Sequence, residues 1–576
     1  MKTVPAVLLA ISVPYGAYGQ AAQRRSLDLT ELRLPPGFEI EILARGLSGP
    51  RFLAFSQTGV LFVSETGAGR IRVILEGGRL EIFASGLRQP HGLAFRGQDL
   101  YVAENHRIAV FRNATNPSLR GGTPEMIAEL PGGGGHSTRS IAWTPEGRLL
   151  ATAGSSCNVC TEADARRATA MRFNADGSGM EIFARGLRNS VGLAVHPQTG
   201  EAWATDNGRD NLGDDQPPEE INILRAGGDY GWPRCWGRQQ RDPGYSGDCS
   251  STAAPELEMQ AHSAPLGIGF YTGEMFPARY QHDAFVAFHG SWNRNQPTGY
   301  QVIRVLASSG RAAGQEDFLA GFLRGNTTSG RPVEAITGPD GALYVSDDLN
   351  GVVYRIRYVG PRLSPGGAVS AAATAAGVAP GGLVSLYGAN LKSQAAQAGS
   401  LPLPLGLDDV TVTIGGVRAP LLYAGPRQAN FQAPFGLQGR VTLELTNGVT
   451  TDSLEVEVRP TAPAIFTVDQ SGSGLGAIRA AAQSLEIYCA GLGEVTPAVP
   501  AGAAAPASPL ARVIAPVRVT VDGAEAEVYF AGLAPNFAGL YQVNVAVPPA
   551  ARRGLRVPVV VTAGGVPSNV VEAILP

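Results

Sequence analysis

The sequence predicts an all-β chain: a six-bladed β-propeller followed by two immunoglobulin-like β-sandwiches. Three observations predict it. Of 576 residues, 74 are glycine and 42 proline while only 16% are charged, a composition of short strands and frequent turns. One phrase recurs six times between residues 38 and 337, and a different pattern recurs twice after residue 400.

The chain begins "MKTVPAVLLAISVPYGAYGQ", one lysine followed by a short apolar stretch and small residues at Ala17 and Gly19. This reads as a secretory signal over 1–19, too short to be a membrane anchor, and places the mature protein in the periplasm or outside the cell. No later stretch is apolar enough to span a bilayer. The net charge of −3 and the lack of a basic run argue against nucleic acid as a partner. Five cysteines suit an oxidising compartment: Cys157 with Cys160 nearby, Cys235 with Cys249 nearby, and Cys489 alone. Two disulfides and one free thiol are expected, with the connectivity open and a redox or metal role for "CNVC" as the alternative.

The clearest copies of the repeat are "FEIEILARGLSGPRFLAF" (38–55), "LEIFASGLRQPHGLAF" (80–95) and "MEIFARGLRNSVGLAV" (180–195). Weaker ones start at 124, 256 and 316. In most copies a turn such as "PEG" or "GPDG" follows, then a β-rich run such as "LYVAEN" or "LYVSDD". Repeats of this kind are propeller blades, here over 32–358. The first copy supplies only a closing strand (38–46), which should complete the last blade at 352–358. Aligning the copies places two columns where each innermost strand begins: Ser48-Gly49, Arg88-Gln89, His136-Ser137, Arg188-Asn189, Ser263-Ala264 and Gly330-Arg331. In a propeller these positions surround one axial pocket. The loops between second and third strands open on the same face, and the longest, "TDNGRDNLGDDQPPEEIN" (205–222), is acidic. Its oxygen donors suit Ca²⁺, with a solvated acidic loop as the alternative.

From 361 the composition shifts to Ala, Gly, Pro and Val, and 359–380 reads as a linker. "VTVTIGG…LLYAG…QANFQAP" (410–434) then returns as "VRVTVDG…VYFAG…QVNVAVP" (517–548). Alternating strands with frequent turns predict sandwiches over 381–460 and 461–576, without a catalytic constellation.

The motifs "GGHSTRSIAW", "GSSCNVC", "GLRNSVGLA", "TDNGRDNLGDD", "HGSWNR" and "GRPVEAITGPDGALYVSDD" occur in this order. In these the chain resembles the soluble aldose and sorbosone dehydrogenases that depend on pyrroloquinoline quinone (PQQ), over about residues 32–358. The C-terminal part also resembles a module of secreted proteins of some soil bacteria. The first resemblance implies His136 as general base, with Gln89, Arg188 and Asn189 around the quinone and Arg188 assisting catalysis. It implies Arg294 and Arg331 at the cofactor's carboxylates and backbone carbonyls of Gly213 and Asp214 as Ca²⁺ ligands. Where the sugar dehydrogenases carry an aspartate before the base, this chain has Gly135, and one of two arginines in the last loop is replaced by Ser329. The expected activity is oxidation of an aldose, a sorbosone-like sugar or a related hydroxyl or aldehyde substrate, with an external electron acceptor. The alternative is a non-catalytic propeller that binds glycans or proteins. A lactonase-type hydrolase would want carboxylates on the axis, and the two columns hold none.

Overall fold

The computed structural model describes residues 21–115 and 121–576, so the expected signal peptide lies outside the described residues. The chain divides into two compact units at Tyr358/Val359.

The first unit is a ring of six blades, each an antiparallel four-stranded sheet, the third extended by a short parallel fifth strand at Gly228–Asp229. Their innermost strands are Pro50–Phe55, Leu93–Arg96, Ile141–Trp143, Leu193–Val195, Pro265–Phe270 and Pro332–Thr337, defining blades 1 to 6. Each packs against the next, and the sixth returns to the first. The ring closes as the repeat predicts. Phe38–Arg45 pairs with Val352–Tyr358 as the outer strand of blade 6, so the two ends of the propeller share one sheet. Phe38 anchors this closure: its ring lies edge-on to Phe276, Tyr280, Phe318 and Tyr358, with centroids 4.7–5.3 Å away. The propeller also reaches further toward the N-terminus than the repeat suggests. Gln23–Arg24 runs parallel to Thr327–Thr328, and Arg33 bridges to Ala320.

The second unit holds two two-sheet sandwiches with separate apolar cores. The twofold repeat is structural. Val410–Ile414 and Val517–Val521 occupy equivalent sheets, as do Gln428–Gln432 and Tyr541–Ala546. The expected linker over 359–380 is corrected here, because Arg362–Ser370 is a nine-residue strand paired with Leu383–Ala389. The first sandwich therefore starts near 362 rather than 381. Disulfides join Cys157 to Cys160 and Cys235 to Cys249, and Cys489 is a buried free thiol. No helix among the described residues is long and apolar enough to cross a membrane.

Candidate active site

The axial columns are held in place from within the blades. Second strands end at Glu65, Glu104, Ala153, Asp206, Phe288 and Asp347, so four of the six end on a carboxylate. Each of these accepts the backbone N–H of its own blade's column. Glu65 takes Ser48, Glu104 takes Arg88 (2.6 Å), Asp206 takes Arg188 (2.9 Å) and Asn189 (2.7 Å), and Asp347 takes Arg331 (3.1 Å). The carboxylates are buried, and burial pushes Asp206 up to about 6 and raises Asp347 as well. In blade 5, Glu219 of the preceding blade does this work for Ala264 (3.1 Å), and burial raises it to about 8.

Blade 3 has no such carboxylate, and its column residue His136 is held by other means. The imidazole Nδ1 lies 2.9 Å from Ser155 Oγ, and that hydroxyl donates to the Cys157 carbonyl at 2.7 Å. With its proton so directed, Ser155 Oγ accepts from Nδ1–H. Nε2 is left deprotonated, with no hydrogen bond among the described residues. Burial, then the Arg188 charge, push His136 down to about 4, so the ring is neutral near pH 7. Its loop is pinned by two buried arginines. Arg139 donates to the carbonyls of Pro131, His136 and Thr138, and Arg167 to those of Gly132 and Gly154. Neither guanidinium forms an ion pair with a carboxylate among the described residues, and both charges oppose protonation of the histidine. Blade 2 contributes Asn105, which accepts from Gly133 N and donates to Ser137 O.

The glycines before His136 are not merely empty space. Gly135 has φ +75°, and a Cβ there would lie 2.5 Å from the Ser156 backbone. An aspartate cannot occupy this position without moving the loop. Gly154 separates His136 from Asn189: a Cβ on it would come within 2.8 Å of both side chains. Asn189 Oδ1 is buried without a partner, an acceptor awaiting a donor or cation.

Arg188 is 4% exposed and commits every guanidinium N–H to protein. Nε donates to Asn158 O, Nη1 to the carbonyls of Asn207 and Gly208, and Nη2 to Asn158 Oδ1 and Asp210 Oδ2, all within 2.7–3.0 Å. It brings charge to the site but no spare donor. Asp210 continues the ring, since its Oδ1 accepts from Asn293 of blade 5 at 2.7 Å.

The expected metal carbonyls do not stand as a bare pair. Gly213 O is met by His262 Nε2 at 2.8 Å, and Asp214 O accepts from the Arg294 guanidinium. A cation on the Asp214 oxygen repels a second one, so these residues do not fit Ca²⁺ in the arrangement seen. Arg294 also donates to the Ala261 carbonyl and pairs with Asp215, which places it on the acidic loop rather than free at the axis. Arg331 differs. Only its Nε is engaged by a side chain, with Asp348 Oδ1 at 2.7 Å, and its side chain is 40% exposed. Asp348 also pairs with Arg51 of blade 1 at 2.8 Å and meets His289 Nε2 of blade 5 at 3.0 Å. Burial pushes His289 down to about 4, so two arginines face one carboxylate and a neutral imidazole. Gln89 is exposed at φ +52°.

The structure thus brings His136, Arg188 and Asn189 together and sets Arg331 in a cationic cluster. It adds Arg51, inside the innermost strand of blade 1, and Ser155, Asn158, Asp210, His289 and Asp348, which column alignment misses because they lie in second-to-third-strand loops. A carboxylate, Asp348, is present near the axis after all. The terminal acids of "VSET", "VAEN", "ATDN" and "VSDD" are a legible signal for the supports.

A family model described as TrAA12-like matches residues 32–244 and 238–359, over half the chain. The chain belongs to the TrAA12-like family. Among relatives of this TrAA12-like protein, an uncharacterized protein of Borreliella burgdorferi is 32% identical over 346 residues, covering 57% of this chain and 91% of its own. A pyrroloquinoline quinone-dependent sugar dehydrogenase of Hypocrea jecorina is 25% identical over 323 residues, 44% of this chain and 72% of its own. The calcium structure of the Trichoderma reesei carbohydrate-active enzyme of family AA12 shares the propeller fold at 22% identity and a TM-score of 0.50, covering 57% of this chain and 97% of its own.

Proposed function

We propose that this protein is a PQQ-dependent sugar dehydrogenase acting outside the cytoplasm, with an aldose or related hydroxyl or aldehyde compound as substrate. The observation that carries this is a neutral histidine with a free Nε2, beside the ion-paired Arg188 and two further arginines, Arg139 and Arg167, that form no ion pair among the described residues. An anionic planar cofactor fits such a site. Arg331, with Arg51 behind it, would hold a carboxylate, and the unpartnered Asn189 Oδ1 would take a donor or cation. When bound, PQQ supplies a two-electron acceptor for hydride. His136 Nε2 takes the proton of the substrate hydroxyl, and Ser155 keeps that nitrogen unprotonated by receiving Nδ1–H. Arg139 and Arg167 keep the loop and its charge in place. The two disulfides suit an oxidising compartment.

An assisting Ca²⁺ would have to sit elsewhere than on the Gly213 and Asp214 carbonyls, because Arg294 occupies the Asp214 oxygen. The test is reconstitution of purified protein with PQQ, with and without Ca²⁺, against a panel of sugars and an artificial dye acceptor. Dye reduction that requires both PQQ and a sugar is expected. No turnover with any aldose or related sugar would overturn the reading, and full activity in excess calcium chelator would remove the metal from it.

A further inference from the structure

We propose that Asn158 is a positioning residue for the reaction, and that the Cys157–Cys160 disulfide is there to present it. The proposal rests on the dehydrogenase reading. Asn158 engages three of its groups, all with residues outside its own loop. Its Oδ1 accepts from Arg188 Nη2 (2.8 Å) and from Asp210 N (2.8 Å). Its carbonyl accepts from Arg188 Nε (3.0 Å) and Trp232 Nε1 (3.2 Å), and its Nδ2 donates to Asp210 O (3.2 Å). One residue therefore fixes two faces of the Arg188 guanidinium and the acidic-loop residue that pairs with it. The adjacent Cys157 carbonyl receives the Ser155 hydroxyl, on which the His136 tautomer depends. Base and cation are thus supported by consecutive residues.

No regular element holds this stretch. Residues 154–168 form no strand or helix, and Asn158 lies outside every ladder. A crosslink between cysteines three apart closes a very short loop, which gives little loop-closure benefit against unfolding. Its effect is local: it fixes the direction of the Cys157 and Asn158 carbonyls, toward Ser155 on one side and Arg188 on the other.

Three variants test this in the full-length protein: Asn158→Ala, Asn158→Asp, and Cys157→Ser with Cys160→Ser. Asn158→Ala removes the side-chain acceptor for Arg188 Nη2 and both side-chain bonds to Asp210, and is expected to lower kcat roughly tenfold to a hundredfold. Substrate KM and the thermal midpoint should change little. Asn158→Asp keeps an acceptor toward Arg188 and should recover most of the loss, a rescue that a general destabilisation would not give. The second readout needs neither cofactor nor substrate. In the cofactor-free protein, the Arg188 Nε–H and Trp232 Nε1–H should exchange slowly with solvent by NMR. In the double serine variant, or after reduction with a phosphine, both should exchange at least tenfold faster. Unchanged exchange at both groups would overturn the disulfide's role. Native kcat in Asn158→Ala, or equal losses in the Ala and Asp variants, would overturn the positioning role. If the native protein showed no sugar-dependent dye reduction, the functional reading would fail while the exchange experiment still decided whether the loop holds Arg188.

Discussion

At the scale of single residues, the site turns on which imidazole nitrogen of His136 is free. Ser155 donates its own proton to the Cys157 carbonyl and so can only accept from Nδ1–H, leaving Nε2 with its lone pair free. His136→Asn retains polarity but cannot take a proton near neutral pH. Its turnover is expected to fall by about two orders of magnitude or more at saturating PQQ, with PQQ affinity maintained, as steady-state kinetics beside a cofactor titration would show. The protonation equilibrium gives an independent check. Burial and the Arg188 charge both oppose the imidazolium, so the ring stays neutral until the pH falls to about 4, well below the ordinary value of 6.5. NMR titration of the cofactor-free protein should place the midpoint near 4, and a midpoint near 6.5 would contradict the buried setting described. Column alignment makes His136, Arg188 and Asn189 legible from sequence, because equivalent positions of a propeller converge on the axis. It cannot reveal Ser155 or Asn158. Their partners are chosen by a loop path that no periodicity encodes, and "GSSCNVC" looks no different from a surface loop.

At the scale of elements, two local features decide whether the site assembles. The first is the glycine run before the base. Gly135 needs its positive φ and would place a Cβ 2.5 Å from the Ser156 backbone, whereas a Cβ on Gly134 meets nothing within 4 Å. Gly135→Ala should therefore displace the His136 loop and reduce kcat at least tenfold, while Gly134→Ala stays near native. Equal behaviour of the two variants in the same assay would show that the backbone constraint is not what the run is for. The second feature is the carboxylate at the second-strand ends, readable as a recurring acid after an apolar run. Arg362–Ser370 shows the opposite case, an element hidden by its composition. "RLSPGGAVS" carries a proline and two glycines and reads as linker, yet it forms the edge strand of its sheet. The register shifts between Leu363 and Ala368, so the Ser364–Gly367 stretch bulges out of the ladder. Proline and glycine are tolerated there because an edge strand pairs on one side and a bulge needs no partner.

For the whole molecule, the sixfold repeat makes the propeller and even its closing strand legible. The closure requires that the last blade's outer strand come from the first copy, and the first copy has a strand to spare. The same closure bears on how the chain divides labour. Phe38–Arg45 pairs with Val352–Tyr358, so the last blade has its outer strand and the ring is closed by Tyr358. Every residue assigned to the site, from Arg51 to Asp348, lies before that point, and each sandwich beyond it has its own apolar core. A chain ending near residue 360 should then fold with a cooperative thermal transition and keep the full-length protein's PQQ-dependent turnover per molecule, within about twofold. Among the described residues every blade is built from strands before Val359, so what the cut removes is not part of any blade. Circular dichroism of the shortened chain establishes that the ring has formed, and dye-linked kinetics then read the site alone. A folded propeller without activity would mean that the C-terminal unit supplies a group to the chemistry. The division into a catalytic ring and non-catalytic sandwiches would then be wrong.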